Sequence, residues 1–277
     1  MSLEELVKEI QRKIGRNLMR YQQLEQMLKY VVANAQFSGY ISELKETIAN
    51  KKESVKTQTM GQLIGQFVER TDPALPDTSN EYLDRNEAHF AFDFKSVVDE
   101  KYYLEKKERL STLVSERNNL VHHLFPDLDL NSFDSCKEYD TKLDIEGEKV
   151  RIEFENTQII AKSLHDMKNE LAQYLMSEEG IKAFMLSFLR QKRLVILLAD
   201  IAAQTKRDDG WTVMSSAAQL IKQHASDELA SLHKGVEYKS LKSLMLKTQM
   251  FDFTEEPTKK GGVRVLYRLK ESYEVLH

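Results

Sequence analysis

The reading of this chain turns on Leu110-Ser-Thr-Leu113-Val114-Ser-Glu-Arg117-Asn118-Asn-Leu120-Val121-His122-His123-Leu124-Phe125-Pro126. Leu110, Leu113, Val114, Leu120, Val121 and Leu124 recur at helical spacing, which predicts one apolar helix face. Pro126 predicts its end, because the residue before a proline is pushed out of helical geometry. At about 100° per residue, Arg117 falls near the middle of that face. A guanidinium there keeps its charge, so it needs a partner, a crevice or a bound anion. Asn118 and His122 share one flank of the helix, whereas Arg117 and His122 are roughly 140° apart. Bringing Arg117 and His122 to one atom requires a deformed helix end or a second copy of the helix facing the first.

Arg117-Asn118-Asn119-Leu120-Val121-His122 resembles the Arg-x-x-x-x-His signature of HEPN domains, which are all-helical and commonly ribonucleases. The family places the motif late in a helix of a small bundle, often with a polar residue after the arginine, as Asn118 is here. Two copies usually meet across a dimer axis to make one composite site. His123 also satisfies the looser family spacing, so the choice between His122 and His123 stays open. In some HEPN toxins an antitoxin modifies a tyrosine two places after the motif histidine. Leu124 holds that place here, which argues against that route of regulation.

Outward from the motif, 277 residues suggest one or two domains, each large enough to bury a core. Ten glycines and four prolines favour helix. A net charge of −4 gives no global attraction to nucleic acid, so RNA contacts would have to be local basic patches. The single cysteine, Cys136, allows no intrachain disulfide and points to a reducing compartment, here the cytoplasm. No signal peptide is expected from Met1-Ser-Leu-Glu-Glu-Leu, and the apolar run Leu194–Ala199 is too short to span a membrane.

A long amphipathic helix is predicted over 3–32, opened by a capping box of Ser2 and Glu5. Glu25 on its flank is a candidate to neutralise Arg117. A broken second helix is predicted over 42–50 and 56–70, with Met60, Leu63, Ile64 and Phe67 on one face and Gly61 and Gly65 allowing close approach. A loop follows over 71–80. The motif helix is predicted to start near Phe94, its charged middle, Asp99–Arg109, forming a solvated face. Lys149-Val-Arg-Ile-Glu-Phe154 alternates and suggests a short strand or loop edge. Helix returns over 155–176, and Ser177–Gly180 is a candidate hinge.

After Gln191 the pattern gives a buried helix at Leu194–Ala203, a turn at Asp208-Asp-Gly-Trp211, a helix from Thr212 and a third from Tyr238. Two strands follow, containing Phe251 and Phe253, then Val263, Val265, Tyr267 and Leu269, with a hairpin tip at 255–262. Three helices and a basic hairpin predict a winged helix-turn-helix. The Gly-Trp, Tyr-Lys-Ser-Leu-x-x-Leu, Phe-x-Phe and Val-x-Tyr-Arg-Leu motifs, in that order, resemble the OST-HTH or LOTUS domain over about 191–270. That family binds RNA or docks onto RNA helicases. Lys242, Lys247, Lys259, Lys260, Arg264 and Arg268 are the candidate RNA contacts, and Trp211 a candidate core anchor.

The expected fold is therefore mainly α: an N-terminal HEPN-like helical bundle over 1–180, then a small α+β winged-helix domain over 181–277. The HEPN resemblance implies a metal-independent endoribonuclease of toxin or defence type, working as a homodimer on RNA. Its catalytic residues would be Arg117, Asn118 and His122, with Arg117 on the scissile phosphate, His122 as acid or base, and Asn118 orienting the histidine or donating to the phosphate. No metal-ligand pattern and no glycine-rich phosphate loop stands out, so no cofactor is expected. The rival is a non-catalytic RNA-binding adaptor that recruits a nuclease or helicase. A nuclease, a helicase and an antitoxin are the classes of protein partner considered.

Overall fold

The computed structural model describes residues 2–72, 87, 89–96, 98–234, 238–259 and 261–274. It is mainly helical, with a small C-terminal three-stranded antiparallel sheet packed with helices. Two compact units divide between Leu171 and Ala172, against the 180/181 boundary expected from sequence, and each has its own apolar core.

The first unit begins with α1 (Leu3–Asn34). The capping box expected of Ser2 and Glu5 is formed, and Leu6, Ile10, Leu24, Leu28 and Val31 are buried. β1 (Gln36–Tyr40) pairs antiparallel with β2 (His89–Asp93), stacking Phe37 on Phe92. Sequence periodicity had assigned neither strand, because their pairing joins segments about fifty residues apart. The broken helix is α2 (Leu44–Lys56) and α3 (Met60–Glu69), the latter restarted by a capping box of Thr59 and Gln62. Met60, Leu63, Ile64 and Phe67 are buried as their spacing predicts. A Cβ on Gly61 would make only an ordinary 3.7 Å contact with Val114, and one on Gly65 would meet nothing within 4 Å, so neither glycine is required by close approach. Beyond Asp72, the loop expected at 71–80 lies outside the described residues.

α4 (Glu100–His122) carries the motif. It starts later than expected because the Asp99 side chain accepts from Tyr102 N and caps it, while Phe94 donates its N–H to Ala35 O as extended chain. Its charged middle is not wholly solvated: Lys106 is buried, with Nζ 4.3 Å from the centre of the Phe67 ring. The helix breaks at His123, and a single turn, α5 (Leu124–Asp127), holds Pro126.

The largest departure from expectation is α6, one helix over Phe133–Met176. Lys149–Phe154 is neither strand nor loop. Val150 and Phe154, four apart, point inward as a helix requires, and Ile152 between them points out. Gly147, mid-helix, faces α1 at close range. A Cβ there would lie 2.5 Å from Asn17 Oδ1, and Arg20 Nη1 donates to Gly147 O at 2.7 Å. Asn17, fully buried, donates to Leu143 O at 2.7 Å, and Lys13 bridges Asp140 and Asp144. The partners rise together in number, so α1 and α6 run parallel. Arg109 with Glu153 and Glu116 with Lys149 make α4 antiparallel to α6.

In the second unit, α7 (Glu178–Arg190) follows α6 at the expected break, where the Ser177 hydroxyl accepts from Gly180 N. A Cβ on Gly180 would lie 1.8 Å from Tyr174 O, so this tight turn needs glycine. Then come α8 (Arg193–Thr205), β3 (Thr212–Val213), α9 (Met214–His224), α10 (Ser226–Lys234), α11 (Leu241–Thr248), β4 (Phe251–Pro257), β5 (Val263–Leu269) and α12 (Glu271–Glu274). The sheet order is β3-β5-β4, all antiparallel. Tyr267, fully buried, ties β5 to α8 by donating its hydroxyl to Leu198 O at 3.0 Å. Trp211 is half-buried rather than core, with the Arg268 guanidinium 4.7 Å above its ring.

Candidate functional site

Leu110, Leu113 and Leu120 of α4 are buried against the first core, and Arg117 lies on the same line of the helix. It is half-buried, and its Nη1 donates to Asn118 Oδ1 at 3.1 Å. Among the described residues no carboxylate lies within ion-pair distance of it. Glu25, the neutraliser suggested by sequence, lines the same cavity but is bound to Lys29 at 2.9 Å.

Asn118, His122 and His123 are exposed. The two imidazoles have ring centres 6.3 Å apart at 68°. One chain therefore brings Arg117 and Asn118 together but leaves His122 facing solvent beyond them, as the 140° separation requires.

Arg117 opens into a cavity of about 1000 Å³ between α1 and α6. Gln22, Gln26 and Tyr30 line one side, and Phe154, Gln158 and His165 the other. His165 went unnoticed in the sequence because nothing there links residues 117 and 165; packing of three helices does. Its Nε2 is 2.9 Å from Asn169 Nδ2, and its Nδ1 is 3.5 Å from Tyr30 Oη. With the Asn169 amide donating, the ring proton sits on Nδ1.

On the adjacent face of α4, Glu116 Oε1 meets Lys149 Nζ at 2.5 Å, while Oε2 is buried without a hydrogen-bond partner. Burial, and then the neighbouring Glu116 carboxylate, push the Glu146 carboxyl above its ordinary range, against the pull of Lys142 and Lys149. Burial, Glu116 and Glu146 likewise raise the Tyr21 hydroxyl. The motif arginine thus follows, in sequence, a residue from a partly desolvated acidic cluster.

The candidate RNA contacts of the second unit are spread along its sheet and α11. Arg268 pairs with Asp252 at 3.3 Å, Arg264 with Glu256 at 3.2 Å, and Lys242 with Glu255 at 3.5 Å. Arg207 also holds Glu256, at 2.9 Å. Asp252–Arg268 and Glu256–Arg264 are directly opposed in the β4–β5 register, so these charges answer one another across the hairpin. Lys247 and Lys259 are exposed and make no ion pair among the described residues. Lys260 lies outside the described residues.

Among the described residues, no group of three or more His, Cys, Asp or Glu side chains is placed to hold a metal ion, and no helix is long and apolar enough to cross a membrane. Compared with protein-family models, curated proteins and solved structures, the chain matches none.

Proposed function

We propose that this chain is a metal-independent endoribonuclease of the HEPN type that cuts as a homodimer, with a C-terminal winged helix of the OST-HTH type retaining the RNA. The observation that carries the reading is the state of Arg117. It is a half-buried cation on the core-facing line of α4, without a carboxylate partner among the described residues, about one and a half turns before an exposed imidazole. A permanently charged group held this way is best satisfied by an anion from outside, and its forked donors suit a phosphodiester.

In the reaction, His122 of one copy takes the proton of the ribose 2′-hydroxyl, and the 2′-oxygen attacks phosphorus. The bond to the 5′-oxygen breaks, and that oxygen receives a proton from an acid such as a second imidazole or water. Arg117 of the other copy stabilises the charge on the phosphorane. The products are a 2′,3′-cyclic phosphate and a 5′-hydroxyl.

A face for the second copy is available on α6. Ile145, Ile152 and Ile159, at seven-residue steps, are exposed opposite the core-facing Leu143, Val150 and Ala161. Exposed β-branched residues at that period suit a helix that packs against its own copy. Ile145 also borders the concavity that Glu116 and Asp127 line near the end of α4.

The opposed ion pairs of the wing and the outward His122 favour a second reading, a non-catalytic RNA-binding adaptor that recruits a nuclease or helicase. Incubating purified protein with a mixed RNA in EDTA separates the two. Wild type should shorten the RNA and leave cyclic phosphate ends, and Arg117→Ala and His122→Ala should each lose cleavage by at least about a hundredfold. RNA that shifts on a gel and stays intact with wild type supports the adaptor instead.

A further inference from the structure

We infer that the groove between α1 and α6 is a nucleotide subsite, holding a residue of single-stranded RNA next to the phosphate that Arg117 grips. The inference rests on the proposed RNA substrate, but its binding test does not require cleavage.

Charge selects the ligand class. Three of the lining groups are formally charged: Glu25, Lys162 and Arg117. Glu25 is neutralised by Lys29 at 2.9 Å and Lys162 by Asp166 at 2.6 Å. Arg117 alone of the three has no counter-charge among the described residues, so the groove presents one net cation at its wall and suits an anion.

The rest of the lining suits a base and a ribose. Gln22, Gln26 and Gln158 offer amides that both donate and accept, as base edges and ribose hydroxyls require. Phe154 and Tyr30 offer aromatic surface for the faces of a base. His165, fixed between Asn169 and Tyr30, adds an oriented imidazole to the same wall. A volume of about 1000 Å³ accommodates a nucleotide. A free phosphate would use Arg117 and leave the amides and rings idle.

The test uses the full chain and two groove variants, His165→Ala and Gln26→Trp. Both positions are exposed on their helices, so the folds should survive, checked by far-UV circular dichroism. A fluorescent oligoribonucleotide too short to span both units is titrated in EDTA, with inorganic phosphate as the comparison ligand. The expected result is that each variant weakens oligonucleotide binding by about tenfold, as Arg117→Ala does, and that the oligonucleotide binds wild type far more tightly than phosphate does. Unchanged binding in both groove variants, or equal affinity for phosphate and oligonucleotide, overturns the subsite. If the groove variants bind and cut like wild type while Arg117→Ala does not cut, the nuclease reading stands and the subsite falls. If wild type binds through the groove and never cuts, the subsite stands and the nuclease reading falls.

Discussion

At the scale of single residues, burial and partners decide what each polar group is for. Lys13 and Asn17 occupy core-facing places on α1, yet each has a built answer on α6, two carboxylates and a carbonyl. Among the described residues, Arg117 has its neighbour's amide oxygen and no carboxylate. The sequence showed Arg117 to be out of place, because the leucines around it set the helix face unambiguously. It did not show Lys13, Asn17 or Lys106 as buried, because their partners come from distant segments. Gly147 is the opposite case. A glycine inside a helix is unfavourable by propensity, but packing explains this one, since Asn17 fills the space a side chain would need. Gly147→Ala should therefore lower stability by about 1–3 kcal/mol, despite alanine's better helix propensity, measured as a shift in the urea midpoint. An increase in stability would contradict the close approach of α1 to α6. Glu146 supplies a prediction in pH. Burial holds its carboxyl above the ordinary carboxylate range in the folded state. The folded chain then takes up this proton before the unfolded chain does, so this group's contribution to stability rises as pH falls from neutrality into the ordinary carboxylate range. Glu146→Gln should raise the urea midpoint at neutral pH and remove that part of the pH dependence. A variant that unfolds earlier at neutral pH would show the carboxylate to be stabilising as a charge.

At the scale of elements, periodicity succeeded where one face alone is buried and failed where two meet different neighbours. α1, α3, α8, α9, β4 and β5 were recognisable because their apolar residues keep a single period. In α6, Val150, Ile152 and Phe154 fit an alternating pattern as well as a helical one, and the exposed Ile152 made the alternation convincing. Trp211 was misjudged for a related reason. A tryptophan beside a turn suggests a core anchor, but Arg268 covers its ring at the surface of the sheet. In the proposed dimer, the same exposed Ile152 is the middle residue of the stripe formed with Ile145 and Ile159. Ile152→Glu places a charge there without touching either core. It should convert a dimer to a monomer in sedimentation, leave the helical circular dichroism unchanged, and suppress RNA cleavage although Arg117 and His122 are intact. A variant that stays dimeric and active would move the interface elsewhere.

At the scale of the whole molecule, the chain combines a helical unit whose Arg117 has no carboxylate partner among the described residues with a small sheet-containing unit whose Arg264 and Arg268 face acids across a hairpin. On the proposed reading the charges imply a division of labour: chemistry would belong to the first unit, and a hold on RNA by the second would fall, among the described residues, to Lys247, Lys259 and the groups released when its ion pairs open. Two units were expected from the candidate hinge at Ser177–Gly180 and the change of pattern after Gln191, and the compact units divide between Leu171 and Ala172. The proposed composite site rests on the angle between Arg117 and His122. Mixing tests that composite most directly. Arg117→Ala and His122→Ala, each inactive alone, are combined in equal amounts, allowed to exchange subunits, and given RNA in EDTA. Random exchange makes half the dimers mixed, each with one intact Arg117–His122 pair, so cleavage should return to about a quarter of the wild-type rate. Exchange confirmed by sedimentation or labelled subunits, with no return of cleavage, would contradict a site shared between two copies.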